Sequence, residues 1–132
     1  MYQKKWGRLI HISSAHGHRA SAYKSAYVSA KHGLEGFSKT IALEAGPLGV
    51  TSNTIAPAYV RTPLVEKQIT AQAELHGISE AEVVEKIMLT APVIKRLIEP
   101  SEIGDAALYL CSESAGMITG TSLVIDGGWL AR

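Results

Sequence analysis

Tyr27 and Lys31 stand four residues apart in this chain. On a helix, side chains with this spacing lie on nearly the same face, because each residue turns the helix by about 100°. A lysine ammonium near a phenol favours the phenolate, so the pair could exchange a proton with a substrate hydroxyl. The alternative is an ordinary surface pair, which a chain with five tyrosines can contain by chance.

Ser14 strengthens the chemical interpretation because of where it lies. An apolar run from Arg8 to Ser14 is typical of a buried parallel strand, and residues 15–17 then form a loop. Open α/β sheets bind ligands at the carboxyl ends of their strands. The sequence therefore predicts that Ser14 and Tyr27 flank one ligand site.

The elements that must position these residues follow from the sequence pattern. Apolar residues recur at helical spacing between Ser25 and Ala45, at Ala30, Leu34, Phe37 and Ile41, and Gly46-Pro47 then ends the helix. Residues 50–56 and 122–126 are rich in β-branched residues and are followed by Pro57 and by two glycines, as strands are.

Two further helices are predicted between these strands. Ser79 and Glu82 form a capping-box pattern, and Pro100 suits the first turn of a later helix. The order is strand, helix, strand, helices, strand. This alternation predicts an α/β fold with a doubly wound parallel sheet.

Composition limits the classes of function. The chain has 132 residues, 46% of them hydrophobic, and a formal charge of +1 without a long run of like charge. We therefore expect one globular domain with no nucleic-acid and no membrane partner. No segment has the length of a signal peptide or membrane span, and the single cysteine, Cys111, stands in an apolar run. These features predict a cytoplasmic protein with a buried, unpaired cysteine.

The order of these residues resembles the short-chain dehydrogenase/reductase family, from Trp6 to Trp129. The matching segments are residues 6–10, 25–31, 50–57, 62–63 and 118–128. The resemblance implies hydride transfer between a secondary alcohol and a nicotinamide cofactor. It implies that Tyr27 exchanges the hydroxyl proton, that Lys31 supports Tyr27 and holds the nicotinamide ribose, and that Ser14 binds the reacting oxygen.

The same resemblance assigns Tyr27 and further residues to the cofactor. Pro57, the backbone around Val60 and the Thr62 hydroxyl would lie near the nicotinamide carboxamide. The family usually has glycine after this proline, whereas this sequence has Ala58, whose methyl group could crowd the cofactor. NAD is expected by likeness, and NADP is not excluded.

Several residues resemble the subgroup of the family that acts on 3-hydroxybutyrate, most clearly residues 62–69. In that likeness a small hydroxy acid is the substrate. His16, Lys24 and Gln68 would bind its carboxylate, and Tyr59 and Trp129 would wall the pocket. Four of them have a structural alternative: His16 could cap a turn, Lys24 could be a solvated cation, Gln68 could lie on an exposed helical face, and Trp129 could pack near the terminus.

The resemblance also implies that the chain is incomplete. The family's glycine-rich pyrophosphate turn and catalytic asparagine lie upstream of this region, and no Gly-x-Gly-x-x-Gly precedes a helix here. We expect residues 1–132 to form the C-terminal half of a Rossmann-like sheet, inactive alone, whose complete form is a homo-oligomer, commonly a tetramer. The histidines lack metal-ligand spacing, so no metal is expected.

Two classes of function remain open. The first is an oxidoreductase, in which the substrate could also be a 3-oxoacyl thioester or a sugar. The second is a non-catalytic fragment that associates with a full-length relative. Such a fragment could pair through its last strand or through the long helix, where Gly33 and Gly36 permit close packing.

Overall fold

The computed structural model describes residues 1–131, which contain a three-stranded parallel sheet in the order β1-β2-β3. The strands are β1 (Gly7–Ile12), β2 (Val50–Pro57) and β3 (Ser122–Ile125). The predicted α/β class and parallel arrangement are confirmed. β1 ends earlier than expected because Ser14 already caps a 3₁₀ turn at Ala15–Gly17.

Within residues 1–131, four α-helices accompany the sheet. They are α1 (Ser25–Ala45), α2 (Pro63–His76), α3 (Glu80–Val83), which continues as a π-helical turn at Val84–Met88, and α4 (Pro100–Cys111). The local signals act as predicted. Ser79 and Glu82 form the capping box of α3, and Pro100 occupies the first turn of α4.

The central strand, β2, is buried along its whole length although it contains several polar residues. Asn53 satisfies its amide group by donating to the Ile118 carbonyl and accepting from the Thr121 backbone N–H. The Thr54 hydroxyl donates a hydrogen bond to the Glu35 carboxylate. Buried polar groups are tolerated when they are hydrogen-bonded, which explains how this sequence occupies the middle of the sheet.

The face of α1 that packs on the sheet is not its apolar stripe. Its buried residues are Glu35, Ser38, Ala42 and Ala45, whereas Phe37 of the apolar stripe remains 52% exposed. Small and polar side chains fit between the helix and a strand that carries hydroxyl and amide groups, and they hydrogen-bond to it.

An apolar cluster holds α2 beside the sheet. It consists of Ile69, Val83, Met88, Leu89 and Leu97, with Tyr59 and Val65 packed against it. Because Tyr59 follows β2, this cluster joins the carboxyl end of the sheet to α2 and α3.

Cys111 is exposed, so its predicted burial is wrong. In the apolar run that ends α4, only Leu110 is buried, while Leu108 and Tyr109 face outwards. A continuous apolar run on a helix cannot turn every side chain to one core, because successive residues point in directions about 100° apart. No helix within residues 1–131 has both the length and the apolar character needed to cross a membrane.

Candidate active site

A cavity of about 380 Å³ opens at the carboxyl end of the sheet. Its lining comes from the segment after each strand, from the start of α1 and from α2. The lining residues are Ser14, His16, Lys24, Tyr27, Ala58, Tyr59, Leu64, Val65, Gln68 and Trp129. The structure thus brings together the predicted hydroxyl-binding pair, Ser14 and Tyr27, with all five residues predicted to contact the substrate.

Lys31 lies beside Tyr27 and is anchored to β1. Its ammonium is 5.6 Å from the centre of the Tyr27 ring and donates a hydrogen bond of 2.8 Å to the Ile12 carbonyl. An ammonium has three N–H donors, so one bond to Ile12 leaves two for a ligand. The helix and the strand end together hold a positive charge next to the phenol.

Ser14 is nearly buried, and its hydroxyl oxygen accepts a hydrogen bond of 3.1 Å from the His16 backbone N–H. This bond uses a lone pair of the oxygen and leaves the hydroxyl proton to be donated. Ser14 can therefore donate to an oxygen atom in the cavity while its position is fixed by the turn.

His16 is held between two partners that define its charge state. Its Nδ1 atom is 3.2 Å from the Arg19 carbonyl, and its Nε2 atom is 3.4 Å from the Lys24 ammonium. A neutral ring protonated on Nδ1 satisfies both, because the carbonyl only accepts and the ammonium only donates. Burial lowers the pKa of His16, Lys24 and His32 lower it further, and the Arg19 hydrogen bond opposes them.

Aromatic rings form one wall of the cavity. Trp129 stacks on Tyr59 with ring centres 6.5 Å apart and planes 5° from parallel. The edge-to-face partners of His16 are Trp129, at 5.2 Å, and Tyr27, at 6.0 Å. Burial raises the pKa of Tyr59, so this ring stays an uncharged phenol and contributes an apolar wall.

Asp126 fixes the turn that carries Trp129, a contribution the sequence did not reveal. Its carboxylate is buried and accepts hydrogen bonds from the backbone N–H groups of Gly128, at 2.8 Å, and Leu130, at 2.7 Å. Both glycines after Asp126 have positive φ, which a turn of this shape requires. The Asp-Gly-Gly sequence was the available signal, but it does not say which side chain the turn would present.

Of the residues predicted to meet the cofactor, Tyr27 belongs to this lining, whereas Lys31, Pro57, Val60 and Thr62 lie outside it; Ala58 also belongs to the lining. Pro57 ends β2. Val60 forms a parallel bridge with Ile98, but the hydrogen bonds of this bridge are made by Tyr59 and Arg61. The N–H and C=O groups of Val60 therefore make no hydrogen bond within residues 1–131. The Thr62 hydroxyl oxygen accepts a hydrogen bond from the Val65 N–H, so the hydroxyl proton stays available for donation to a ligand. A carboxamide both donates and accepts, so these groups fit a nicotinamide.

In the part of the chain that the structure describes, no three histidine, cysteine, aspartate or glutamate side chains come together as metal ligands would.

A model of short-chain dehydrogenases, described as enoyl-(acyl carrier protein) reductase, matches residues 1–130. The chain belongs to the short-chain dehydrogenase/reductase family. Its sequence is 52% identical over 132 residues to D-beta-hydroxybutyrate dehydrogenase of Rhizobium meliloti. It is 46% identical to the protein of the same name from Cupriavidus necator. It covers 51% of each, so it spans about half the length of the curated relatives it matches.

Solved structures agree with the fold. The crystal structure of a short chain dehydrogenase family protein from Francisella tularensis superposes with a TM-score of 0.90 and 26% identity, covering 95% of this chain and 51% of that one. The structure of ElxO with NADP bound superposes with a TM-score of 0.85 and 27% identity, covering 100% of this chain and 50% of that one. The prediction of a Rossmann-like parallel sheet is confirmed.

Proposed function

We propose that this chain forms the catalytic and substrate-binding half of a nicotinamide-dependent dehydrogenase that converts 3-hydroxybutyrate to acetoacetate. The observation that carries this proposal is the convergence of Tyr27 with three hydrogen-bonding side chains, those of His16, Lys24 and Gln68, in one cavity. Two relatives named D-beta-hydroxybutyrate dehydrogenase, which match the whole chain, support the same substrate.

In the proposed reaction, the substrate carbon loses a hydride and its hydroxyl loses a proton, which leaves a ketone. When bound, the oxidised nicotinamide supplies the hydride acceptor. Tyr27 takes the hydroxyl proton, and the nearby charge of Lys31 favours the phenolate that can do so. Ser14 donates a hydrogen bond to the reacting oxygen and keeps the substrate hydroxyl oriented towards Tyr27.

Lys31, Val60 and Thr62 are the proposed contacts to the nicotinamide and its ribose. The two free N–H groups of Lys31 suit ribose hydroxyls, and the unpaired peptide groups of Val60 suit a carboxamide. We propose NAD as the cofactor by likeness to the hydroxybutyrate dehydrogenases. A direct comparison of turnover with NAD and NADP tests that choice.

The carboxylate of the substrate would lie between Lys24 and His16. The Lys24 ammonium now donates to a neutral histidine, and a carboxylate is a stronger acceptor for the same proton. Gln68 adds an amide donor from α2, while Trp129 and Tyr59 provide the apolar wall that a small acid needs.

Lys24→Met tests this proposal in the complete enzyme, because it removes the charge and keeps much of the side chain's length. We expect the Michaelis constant for 3-hydroxybutyrate to rise about 10- to 150-fold, as a charge-assisted contact is worth about 1.5–3 kcal/mol. Neutral secondary alcohols should be affected little. Lys39→Met, at an exposed position on α1, is the matched control.

A second candidate is reduction of a 3-oxoacyl thioester, favoured by 36% identity over 128 residues to acetoacetyl-CoA reductase of Cupriavidus necator. The methyl ester of 3-hydroxybutyrate separates the two. An enzyme that binds the acid through its carboxylate rejects the ester, whereas equal turnover of acid and ester by the unmodified enzyme would favour the thioester reductase.

We also propose that the complete enzyme is a cytoplasmic homo-oligomer, a tetramer by likeness to the family. The exposed apolar side chains on α1, among them Phe37 and Leu43, support such association. Sedimentation velocity of the complete enzyme measures its oligomeric state.

A further inference from the structure

Glu35 is a buried carboxylate for which the proposed proton transfer has no use. It is 6% exposed and lies on α1 four residues after Lys31 and eight after Tyr27. This spacing places the three side chains along one stripe of the helix. The stripe that holds the proposed acid–base pair therefore continues into a buried charge.

The carboxylate of Glu35 joins both neighbouring strands. Its Oε2 atom accepts a hydrogen bond of 2.9 Å from the Thr54 hydroxyl, and its Oε1 atom is 3.5 Å from the Ser122 hydroxyl, which donates to it. Thr54 and Ser122 are directly paired residues of β2 and β3. Glu35 thus lies across the point where β3 begins to pair with β2.

His18 connects the same carboxylate to the loop that follows β1. Its Nε2 atom is 3.4 Å from the Glu35 Oε1 atom and 2.9 Å from the Ser122 hydroxyl oxygen. His18 ends the 3₁₀ turn at Ala15–Gly17, and its backbone N–H donates to the Ala15 carbonyl. The turn is therefore tied to the helix and to the sheet through one side chain.

Gly17 brings the turn itself against Glu35. A Cβ atom at Gly17 would lie 3.0 Å from the Glu35 Cγ atom and 2.7 Å from the Ser13 hydroxyl oxygen. A side chain at this position would have to displace the side chain of Ser13 or Glu35, so the backbone of the turn lies close against Glu35. Ser14 and His16 belong to this turn and point into the cavity on its other side.

We propose that Glu35 is a positioning residue that holds the turn carrying Ser14 and His16. This inference rests on the proposed function and adds a residue that touches no reacting atom. An apolar side chain could fill the same place without desolvating a charge, whereas only an acceptor can hold Thr54, Ser122 and His18 at once. If the turn were displaced, Ser14, which donates to the reacting oxygen, and His16, which lies beside Lys24, would move together.

Glu35→Gln in the complete enzyme tests the role, since glutamine keeps the size but replaces one acceptor oxygen with an NH₂ group. We expect kcat/KM for 3-hydroxybutyrate to fall about tenfold or more, with a fall in kcat for neutral alcohols also. Backbone amides of residues 16–18 should exchange hydrogen faster, because the turn opens locally. Glu44→Gln, exposed on the same helix, should change neither measurement.

His18→Ala provides the second variant, because His18 is partly exposed and its loss leaves the carboxylate bonded to Thr54. If Glu35 acts through His18, the double variant should be only slightly worse than either single variant. Additive effects, or a folded Glu35→Gln enzyme with unchanged kinetics and unchanged amide exchange, would overturn the proposal. An unmodified enzyme inactive on hydroxy acids would reject the proposed function, and amide exchange would still test the positioning role.

Discussion

The His16 ring is buried, is protonated on Nδ1 and lies beside the Lys24 ammonium. Its Nε2 atom accepts from Lys24 only while the ring is neutral, and burial keeps it neutral by lowering its pKa. Protonation would place two positive charges within 3.4 Å of each other. The charge state of His16 therefore controls whether His16 and Lys24 stay hydrogen-bonded to each other.

This arrangement predicts a dependence of stability on pH. The folded-state pKa of His16 lies below the ordinary value of 6.5, so the unfolded chain binds more protons between these two values. The free energy of unfolding should fall as the pH decreases from about 6.5, and the loss should level off below the folded pKa. Urea unfolding of the wild type and of His16→Gln between pH 7.5 and 5 measures the difference.

The His16→Gln curve should lack this contribution and vary less with pH. His76→Gln, at an exposed position on α2, controls for the loss of a histidine. Parallel curves for the wild type and His16→Gln would contradict the prediction.

Tyr27 is the residue on which the proposed chemistry depends most. Tyr27→Phe removes only the hydroxyl, and Tyr27 is half-exposed, so the fold should be unaffected. General acid–base catalysis typically contributes about 10²–10⁴-fold, and turnover should fall by a factor in that range. Steady-state kinetics of the complete enzyme, with thermal unfolding as the check on folding, measure this. Tyr23→Phe is the matched control because Tyr23 is fully exposed. If Tyr27→Phe retained more than about a tenth of the activity, the proposed role of Tyr27 would be refuted.

At the scale of elements, the cavity depends on segments that leave the strands, not on the strands themselves. The turn after β1 carries Ser14 and His16, and the turn after β3 carries Trp129. A buried carboxylate lies beside each turn: Glu35 contacts His18 at the end of the first, and Asp126 accepts backbone hydrogen bonds within the second. Carboxylates suit this task because they accept several hydrogen bonds at once.

Asp126→Asn tests the second turn. Asparagine keeps the shape and one acceptor oxygen, but its NH₂ group cannot accept from the Leu130 N–H, so the turn should loosen. We expect the free energy of unfolding to fall by about 1–3 kcal/mol and the Michaelis constant for 3-hydroxybutyrate to rise as Trp129 leaves its stack on Tyr59.

Urea unfolding and tryptophan fluorescence follow the two effects of Asp126→Asn separately. Asp105→Asn, exposed on α4, is the control. An Asp126→Asn enzyme with unchanged stability and fluorescence would show that the carboxylate does not hold the turn.

At the scale of the whole molecule, the described residues form a sheet with two edges. β1 and β3 each pair on one side only, with β2. Exposed strand edges favour association with other chains, and the apolar residues on the outer face of α1 add to this tendency. The 132-residue chain also contains no Gly-x-Gly-x-x-Gly turn for a pyrophosphate.

We therefore predict that the purified 132-residue polypeptide has no NAD- or NADP-dependent turnover and associates as its concentration rises. Spectrophotometric assay at 340 nm, where reduced nicotinamides absorb, and sedimentation velocity measure the two properties. The complete enzyme, assayed in parallel, serves as the positive control. Measurable turnover by the 132-residue polypeptide would refute the prediction.

The sequence by itself determined the three strands, three of the helices and the stripe that holds Tyr27 and Lys31, but it did not identify α2 as a helix. Caps, first-turn prolines and helical spacing depend on residues only a few positions apart, so they can be identified without the fold. The likeness to a known family indicated which side chains should meet in one cavity, and the structure brings Ser14, Tyr27 and the proposed substrate residues together there.

Only the tertiary structure decided which surfaces are buried and what holds the turns. Cys111 is exposed and Glu35 is buried, opposite to what their residue types suggest. Glu35 meets Ser122, 87 residues along the chain, and this contact exists only because β3 pairs with β2 beneath α1. Burial and long-range hydrogen bonds depend on how distant segments pack, and local sequence patterns do not record that packing.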